Sequence, residues 1–211
     1  MNRERSTGFP LSAQNAESLD DLRLTPADLL VAEVEQLRRD LREANRKIAE
    51  LEARADVDPL LDILNRRGFE REFVRSLAYV RRYGTSAALL FIDLDGFKAV
   101  NDQHGHAAGD ALLKAVAAGL SQNVRASDVV ARLGGDEFGV LMWNLDAARA
   151  DAKAAEVESL IAGIRAEHGG AALCVGASAG AVALDPDATA AAIIDAADQA
   201  MYARKRARRG S

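Results

Sequence analysis

Arg132-Leu133-Gly134-Gly135-Asp136-Glu137-Phe138-Gly139-Val140-Leu141 sets two glycines directly before two carboxylates, with apolar residues on both sides. Val129-Val130-Ala131 leads in and Phe138 to Trp143 leads out, so the spacing predicts a β-hairpin with a Gly-Gly turn. Such a turn lifts Asp136 and Glu137 to the rim of a sheet. Paired carboxylates there suit a hard cation such as Mg²⁺, and bare glycine backbone lets a bulky anion approach closely. A second acidic pair stands upstream in Leu90-Phe91-Ile92-Asp93-Leu94-Asp95-Gly96-Phe97-Lys98, followed by Asn101-Asp102. Here an apolar strand ends in two alternating carboxylates and turns into a helix that carries a lysine. A D-x-D at a strand end can hold Mg²⁺ against a nucleotide phosphate, cap the following helix, open a calcium loop, or serve a sugar-nucleotide transferase. The calcium reading fails on spacing, because no third ligand precedes the glycine and no Glu follows at the required offset. The transferase reading stays open on this motif alone and weakens once the hairpin carboxylates are counted.

The elements that must position these groups follow from the pattern. Asn65 to Arg82 reads as a helix, Ala87 to Ile92 as a buried strand, and Ala107 to Leu120 as a helix. After the hairpin come an alanine-rich helix over Ala147 to Ile164, strands around Leu173–Val175 and Ser178–Ala183, and a closing helix over Asp187 to Arg206. Upstream, residues 1–27 lack steady periodicity and read as a poorly ordered leader. Thr25 then suits a helix N-cap with Pro26 at the first helical position.

Residues 28–56 carry a strict heptad. Val34, Leu41, Ile48 and Ala55 form one series and Leu30, Leu37, Ala44 and Leu51 the other, the a and d positions of a coiled coil. Branched residues at a and leucines at d favour two parallel strands. Glu33 would face Arg38 of the partner helix, and Lys47 would face Glu52. At ~1.5 Å per residue the helix is roughly 40 Å long, too long to cover a small domain compactly.

Composition bounds the rest. With 27 basic and 32 acidic residues the net charge is −5, which argues against a general nucleic-acid binder. The chain shows neither a bilayer-length apolar run nor a signal-peptide core, so no membrane partner is expected and the location is cytoplasmic. The single cysteine, Cys174, sits in an apolar run and reads as a buried small hydrophobe. His104 and His106, two apart in a polar turn without a third ligand, make a weak metal pair, and His106 is taken as structural.

Together these motifs resemble the GGDEF-domain diguanylate cyclases, which condense two GTP molecules into cyclic di-GMP. The resemblance runs over roughly residues 57 to 209, about three-quarters of the chain. It implies a ferredoxin-like α/β (α+β) fold with an antiparallel central sheet, related to polymerase palms and nucleotidyl cyclases. It also implies two Mg²⁺ per active site, with Mn²⁺ able to substitute. Asp93, the Leu94 carbonyl and Asp136 would be metal ligands. Glu137 would be a further ligand or the acid/base group for the ribose 3′-hydroxyl. Lys98 would stabilise charge on the phosphates, Gly134 and Gly135 would underlie triphosphate and ribose, and Phe97 would line the substrate site. Asn101-Asp102-Gln103-His104-Gly105-His106-Ala107-Ala108-Gly109-Asp110 matches a family segment in which Asn101 and Asp110 would contact guanine. A carboxylate can accept from both N1–H and the 2-amino group of that base, whereas adenine offers neither.

Arg125-Ala126-Ser127-Asp128 matches the family's R-x-x-D inhibitory site, where Arg125 and Asp128 would bind the product; taken alone, such a string is an ion pair on a helix. Asp198-Gln199-Ala200-Met201-Tyr202-Ala203-Arg204-Lys205 resembles the family's ending, and Lys205 and Arg209 would reach the triphosphate. Arg204 stands in place of a small residue, Arg208 of the usual Gly and Gly210 of the usual Asn; a basic tail contacting nucleic acid is the competing reading of residues 204–209. Asp58-Pro59-Leu60-Leu61-Asp62-Ile63-Leu64-Asn65-Arg66-Arg67-Gly68-Phe69 resembles the family's opening motif, with Leu61 and Asp62 where Thr and Gly are usual. The resemblance further implies a homodimer through the coiled coil, with a regulatory protein able to grip its N-terminal end. A non-catalytic GTP or cyclic di-GMP receptor and a coiled-coil scaffold are the alternatives.

Overall fold

The computed structural model describes residues 26–209, with the side chains of 26–28, 48–54 and 209 excepted. The leader and the Thr25 cap lie outside them. The chain divides into two compact units with the break between Glu50 and Leu51. The first is carried by helix α1 (Pro26–Ala55), whose described residues 29–47 are all exposed. Leu30 and Leu37 are about 60% exposed and Leu41 61%, so the d-position leucines and an a-position leucine form a bare stripe on one chain. Lys47 pairs within its own helix with Glu43 at 2.9 Å.

The second unit runs β1 (Leu64–Asn65), α2 (Arg66–Tyr83), β2 (Ala87–Asp95), α3 (Phe97–His104), α4 (His106–Gln122), β3 (Val129–Gly134), β4 (Glu137–Trp143), α5 (Ala147–Gly163), β5 (Ala166–His168), β6 (Ala171–Leu173), β7 (Gly176–Ala183) and α6 (Ala190–Arg209). The sheet order is β1-β3-β4-β2-β7, and every pairing is antiparallel except the short β1 on β3. The β2-β3-β4-β7 core with its intervening helices is the ferredoxin-like α+β arrangement that the resemblance implies.

Alternation along β2 builds two cores. Ala88, Leu90, Ile92 and Leu94 face α4 and α5, while Ala87 and Leu89 face α2 and α6. Because the period is two, Asp93 and Asp95 leave β2 on the α2/α6 side. The strand outruns its expected end at Ile92. Its ladder to β7 continues through Asp95, so both acids belong to the strand rather than to a loop after it.

Three further expectations change. The strand expected around Leu173–Val175 is β6 and already ends at Leu173, and its partner β5 was not foreseen; three residues each are too short for alternation to register. Leu173 and Val175 point inward, which turns the intervening Cys174 outward, so it is exposed rather than buried. The closing helix begins at Ala190, three residues after the expected Asp187, with the Thr189 hydroxyl accepting from Ala192 N–H.

Two clamps hold the unit's margins. In the opening loop, Asp58 Oδ1 accepts from the Leu60 and Leu61 N–H groups, and Asp62 takes a φ of 54° at the glycine position of the family pattern. Aspartate tolerates that left-handed conformation better than most residues. On the far side, buried Glu158 of α5 accepts from the edge-strand N–H of Ala179 at 2.8 Å and from Arg208 of α6 at 2.7 Å. Glu158→Ala leaves the Ala179 N–H without its acceptor and strips Arg208 of one of its partners, so urea denaturation should show a loss of about 2–3 kcal/mol, and Glu158→Gln a smaller one. An unchanged midpoint for Glu158→Ala would show that the clamp carries no stability.

Candidate active site

The acids meet where β2 and the β3–β4 turn come together. Asp93 and Glu137 are direct partners across the ladder, and the Leu94 N–H donates to the Asp136 carbonyl at 3.1 Å. The hairpin turn is Gly135-Asp136 rather than Gly134-Gly135, because a register shift between Arg132 and Gly134 sets Gly134 opposite Glu137. Gly135 has a φ of 43°, a value glycine supplies without strain, and Asp136 follows at the tip. The bulge leaves the Leu133 carbonyl free of the ladder, where Arg66 Nε donates to it at 2.8 Å.

A cavity of about 490 Å³ opens beside these groups, lined by Leu94, Asp95, Gly96, Phe97, Lys98, Asp136, Lys205 and Arg208. Lys98, on the first turn of α3, and Asp136 make no side-chain hydrogen bond or ion pair among the described residues. Lys205 reaches from α6 to Asp93 Oδ1 at 2.5 Å. An ammonium group therefore occupies the acid that the sequence nominates for a metal. Oxygen donors from Asp93, the Leu94 carbonyl, Asp136 and Glu137 are the hard set that Mg²⁺ takes. Among the described residues no three acid, histidine or cysteine side chains already converge as a metal cluster. The set relies instead on a backbone carbonyl and on a turn acid.

Glu137 stands slightly apart. It lines a separate cavity of about 200 Å³ with Arg66, whose Nη2 lies 3.4 Å from its Oε2. Gly134, exposed at the end of β3, lies under this turn. Asn101 and Asp110 are not part of the main cavity. Asn101 is half-buried and Asp110 exposed, on α3 and α4. Phe97 bridges the two places: it lines the cavity, and its ring tip lies against Gly109 beside Asn101.

The C-terminal cations are pinned to acids rather than spread as a free tail. Arg204 pairs with Asp151 at 3.1 Å and with Glu158 at 3.6 Å. Arg208 meets Glu158, Asp95 and the Ala177 carbonyl, so the residue at the family's glycine position continues the helix and faces the cavity. The Arg209 side chain lies outside the described residues. Sequence reasoning missed Arg66, Arg132, Glu158 and Arg208. Arg132 donates to the Gly135 carbonyl at 2.8 and 3.0 Å and meets Asp58 at 3.4 Å, tying the opening loop to the hairpin turn. Its place two residues before Gly134 was the available signal.

Arg125 and Asp128 lie elsewhere, at a cavity of about 580 Å³ between the end of α4 and the start of α5, which Arg149 and Lys153 also line. Asp128 locks the local turn, accepting from the Arg125 N–H and the Trp143 N–H, each at 3.0 Å. The Arg125 guanidinium makes no hydrogen bond or ion pair among the described residues, so the expected intramotif ion pair is replaced by a backbone contact.

A sheet of this topology with acids at the β2 and hairpin positions defines a nucleotidyl-cyclase-like domain. Residues 55–211 match the family described as "Diguanylate cyclase, GGDEF domain", and the chain belongs to it. It is 40% identical over 173 residues to the probable diguanylate cyclase DgcE of Escherichia coli K12, covering 82% of this chain and 16% of that protein. It is also 40% identical over 190 residues to the diguanylate cyclase TpbB of Pseudomonas aeruginosa, covering 86% and 42%. The chain thus spans less than half the length of these relatives. Among solved structures, a sensory box/GGDEF family protein from Caulobacter crescentus superposes with a TM-score of 0.67 at 37% identity, covering 72% of this chain and 99% of that one. The GGDEF domain of DgcB from the same organism, solved with c-di-GMP, gives 0.68 at 28% identity, covering 72% and 89%.

The Asn101 seat gives a test. A Cβ on Gly109 would fall 1.9 Å from Asn101 Oδ1. Gly109→Ala should shift the Asn101 side-chain amide resonances in a ¹⁵N spectrum and cost about 1–3 kcal/mol in chemical denaturation. An unmoved amide with an unchanged midpoint would show that the seat has slack.

Proposed function

We propose that this chain is a diguanylate cyclase that condenses two GTP into cyclic di-GMP and two pyrophosphates where two GGDEF domains face each other. The observation that carries the reading is the shared cavity of Asp136, Lys98 and Lys205, with Lys205 already seated on Asp93 at 2.5 Å. Asp93, the Leu94 carbonyl, Asp136 and Glu137 would hold two Mg²⁺, which when bound would neutralise the α-phosphate and lower the pKa of the 3′-hydroxyl. Lys98 and Lys205 meet the triphosphate, Lys205 exchanging Asp93 for a phosphate oxygen. Exposed backbone at Gly134 and Gly135 admits ribose and phosphate, Phe97 walls the site, and Asn101 and Asp110 read the guanine edge. Arg209 is a further candidate for the triphosphate.

Glu137 takes the proton from the ribose 3′-hydroxyl, and Arg66 beside it keeps its carboxylate in place. The freed oxygen forms a bond to the α-phosphorus of the GTP on the facing domain. The bond from that phosphorus to the bridging oxygen breaks, and pyrophosphate leaves. The same exchange in the opposite sense closes the ring. Each domain holds one GTP, so two must meet, and tethering through the bare heptad stripe of α1 raises their effective concentration. Arg125 and Asp128 form a feedback site for the product, supported by the idle guanidinium in a cavity of about 580 Å³. No helix among the described residues is long and apolar enough to cross a membrane; with GTP as substrate, the domain belongs in the cytoplasm. One solved relative, SiaD of Pseudomonas aeruginosa, is bound by its activator SiaC, which supports a regulatory protein as the input here.

Incubation with GTP and Mg²⁺ should yield cyclic di-GMP by chromatography, and Asp93→Asn or Asp136→Asn should lower the yield on the order of 100-fold or more. Equal output from a folded Asp136→Asn sample would end the assignment. Leu41→Pro, costing ~3 kcal/mol of helix, should make specific activity fall steeply on dilution while the parent holds over the same range; matched dilution curves would remove the tether.

A further inference from the structure

The chain's only tryptophan and two of its three tyrosines gather at one end of the sheet, away from the acids. Tyr79 stands edge-on to Trp143 with ring centroids 5.4 Å apart, and Tyr83 stacks obliquely on Tyr79 at 4.4 Å. Tyr79 and Tyr83 remain about half exposed, so this is not core packing. The cluster borders a cavity of about 320 Å³ lined by Tyr79, Thr85, Ser127, Trp143 and Asn144.

That cavity adjoins the feedback turn. Trp143 and Asn144 line both it and the Arg125 cavity, and Ser127 lies between Arg125 and Asp128 in sequence. The turn therefore has Arg125 and Asp128 on one side and Ser127 on the other. Trp143 is tied to it directly, since its N–H is the donor that Asp128 holds.

We propose that this aromatic cavity is a second base subsite of the feedback site, in which one guanine of cyclic di-GMP stacks on Trp143. The ligand carries two guanines on one phosphate ring, so it can straddle the turn. Arg125 meets phosphate or the first base, and the second base enters the aromatic cavity. Tyr79 braces the indole edge-on and lines the same cavity. A flat, rigid aromatic surface next to an unengaged guanidinium is the combination that binds purine nucleotides. This inference rests on the reading of Arg125 and Asp128 as a feedback site.

The test is binding of cyclic di-GMP to the full chain, which needs no turnover. The emission of Trp143 should change saturably as the ligand is added. By calorimetry, Arg125→Ala and Trp143→Ala should each weaken binding about tenfold or more, and Trp143→Phe should stay within about threefold of the parent. Should Trp143→Ala fold poorly, the emission of the parent's Trp143 carries the test. Parental affinity in Trp143→Ala, or unaltered emission at saturating ligand, overturns the subsite. If Arg125→Ala alone loses affinity, the feedback site stands and the aromatic subsite falls. A parent that fails to bind cyclic di-GMP overturns both, whereas one that binds without making it overturns only the cyclase.

Discussion

Crowded negative charge is the constraint around which the second unit is arranged. Asp93 and Asp95 leave one face of β2 two residues apart, Glu137 faces Asp93 across the ladder, and Asp136 caps the adjoining turn. Carboxylates this close repel unless cations or donors meet them. Each is met differently: Asp93 by Lys205, Asp95 by Ser178 and Arg208, Glu137 by Arg66. Only Asp136 is left without a side-chain partner among the described residues. Of the four, Asp136 alone can accept an incoming charge without first giving up a side-chain partner among the described residues.

Helix α6 is the element this demands. Lys205 and Arg208 are three residues apart, so they project from one face of the helix onto acids two residues apart on a strand. Arg208 is further fixed by Glu158, which reaches round the sheet margin from α5. The two layers on either side of the sheet are therefore joined through ionic contacts at the same end that holds the site. Arg132 does the equivalent work for the turn, with Asp58 behind it and the Gly135 carbonyl ahead.

The acidic motifs were legible in the sequence because they are local: a D-x-D and a Gly-Gly-Asp-Glu run each state their chemistry within a few residues. Helices α2, α4 and α5 were legible from apolar spacing and differ by a residue or two at their ends. What stayed hidden were long-range partners. Arg66 serves a carbonyl 67 positions away and Lys205 an acid 112 away, and no periodicity marks either pairing. Cys174 was misread because an apolar run conceals which residues alternate inward until the neighbouring strands are placed. The Gly-Gly turn was off by one, since a bulge at Leu133 cannot be read from hydrophobic pattern.

Both margins of the five-stranded sheet are occupied. At β7, the Ala179 N–H is taken by Glu158 and the Ala177 carbonyl by Arg208. At the other border, β1 is only two residues long, and Val57 bridges to Leu64 beside it. Unpaired strand borders are where a further polypeptide would add by backbone hydrogen bonding. With those positions filled, the five-stranded sheet offers fewer free backbone groups at these points for a further strand to pair with.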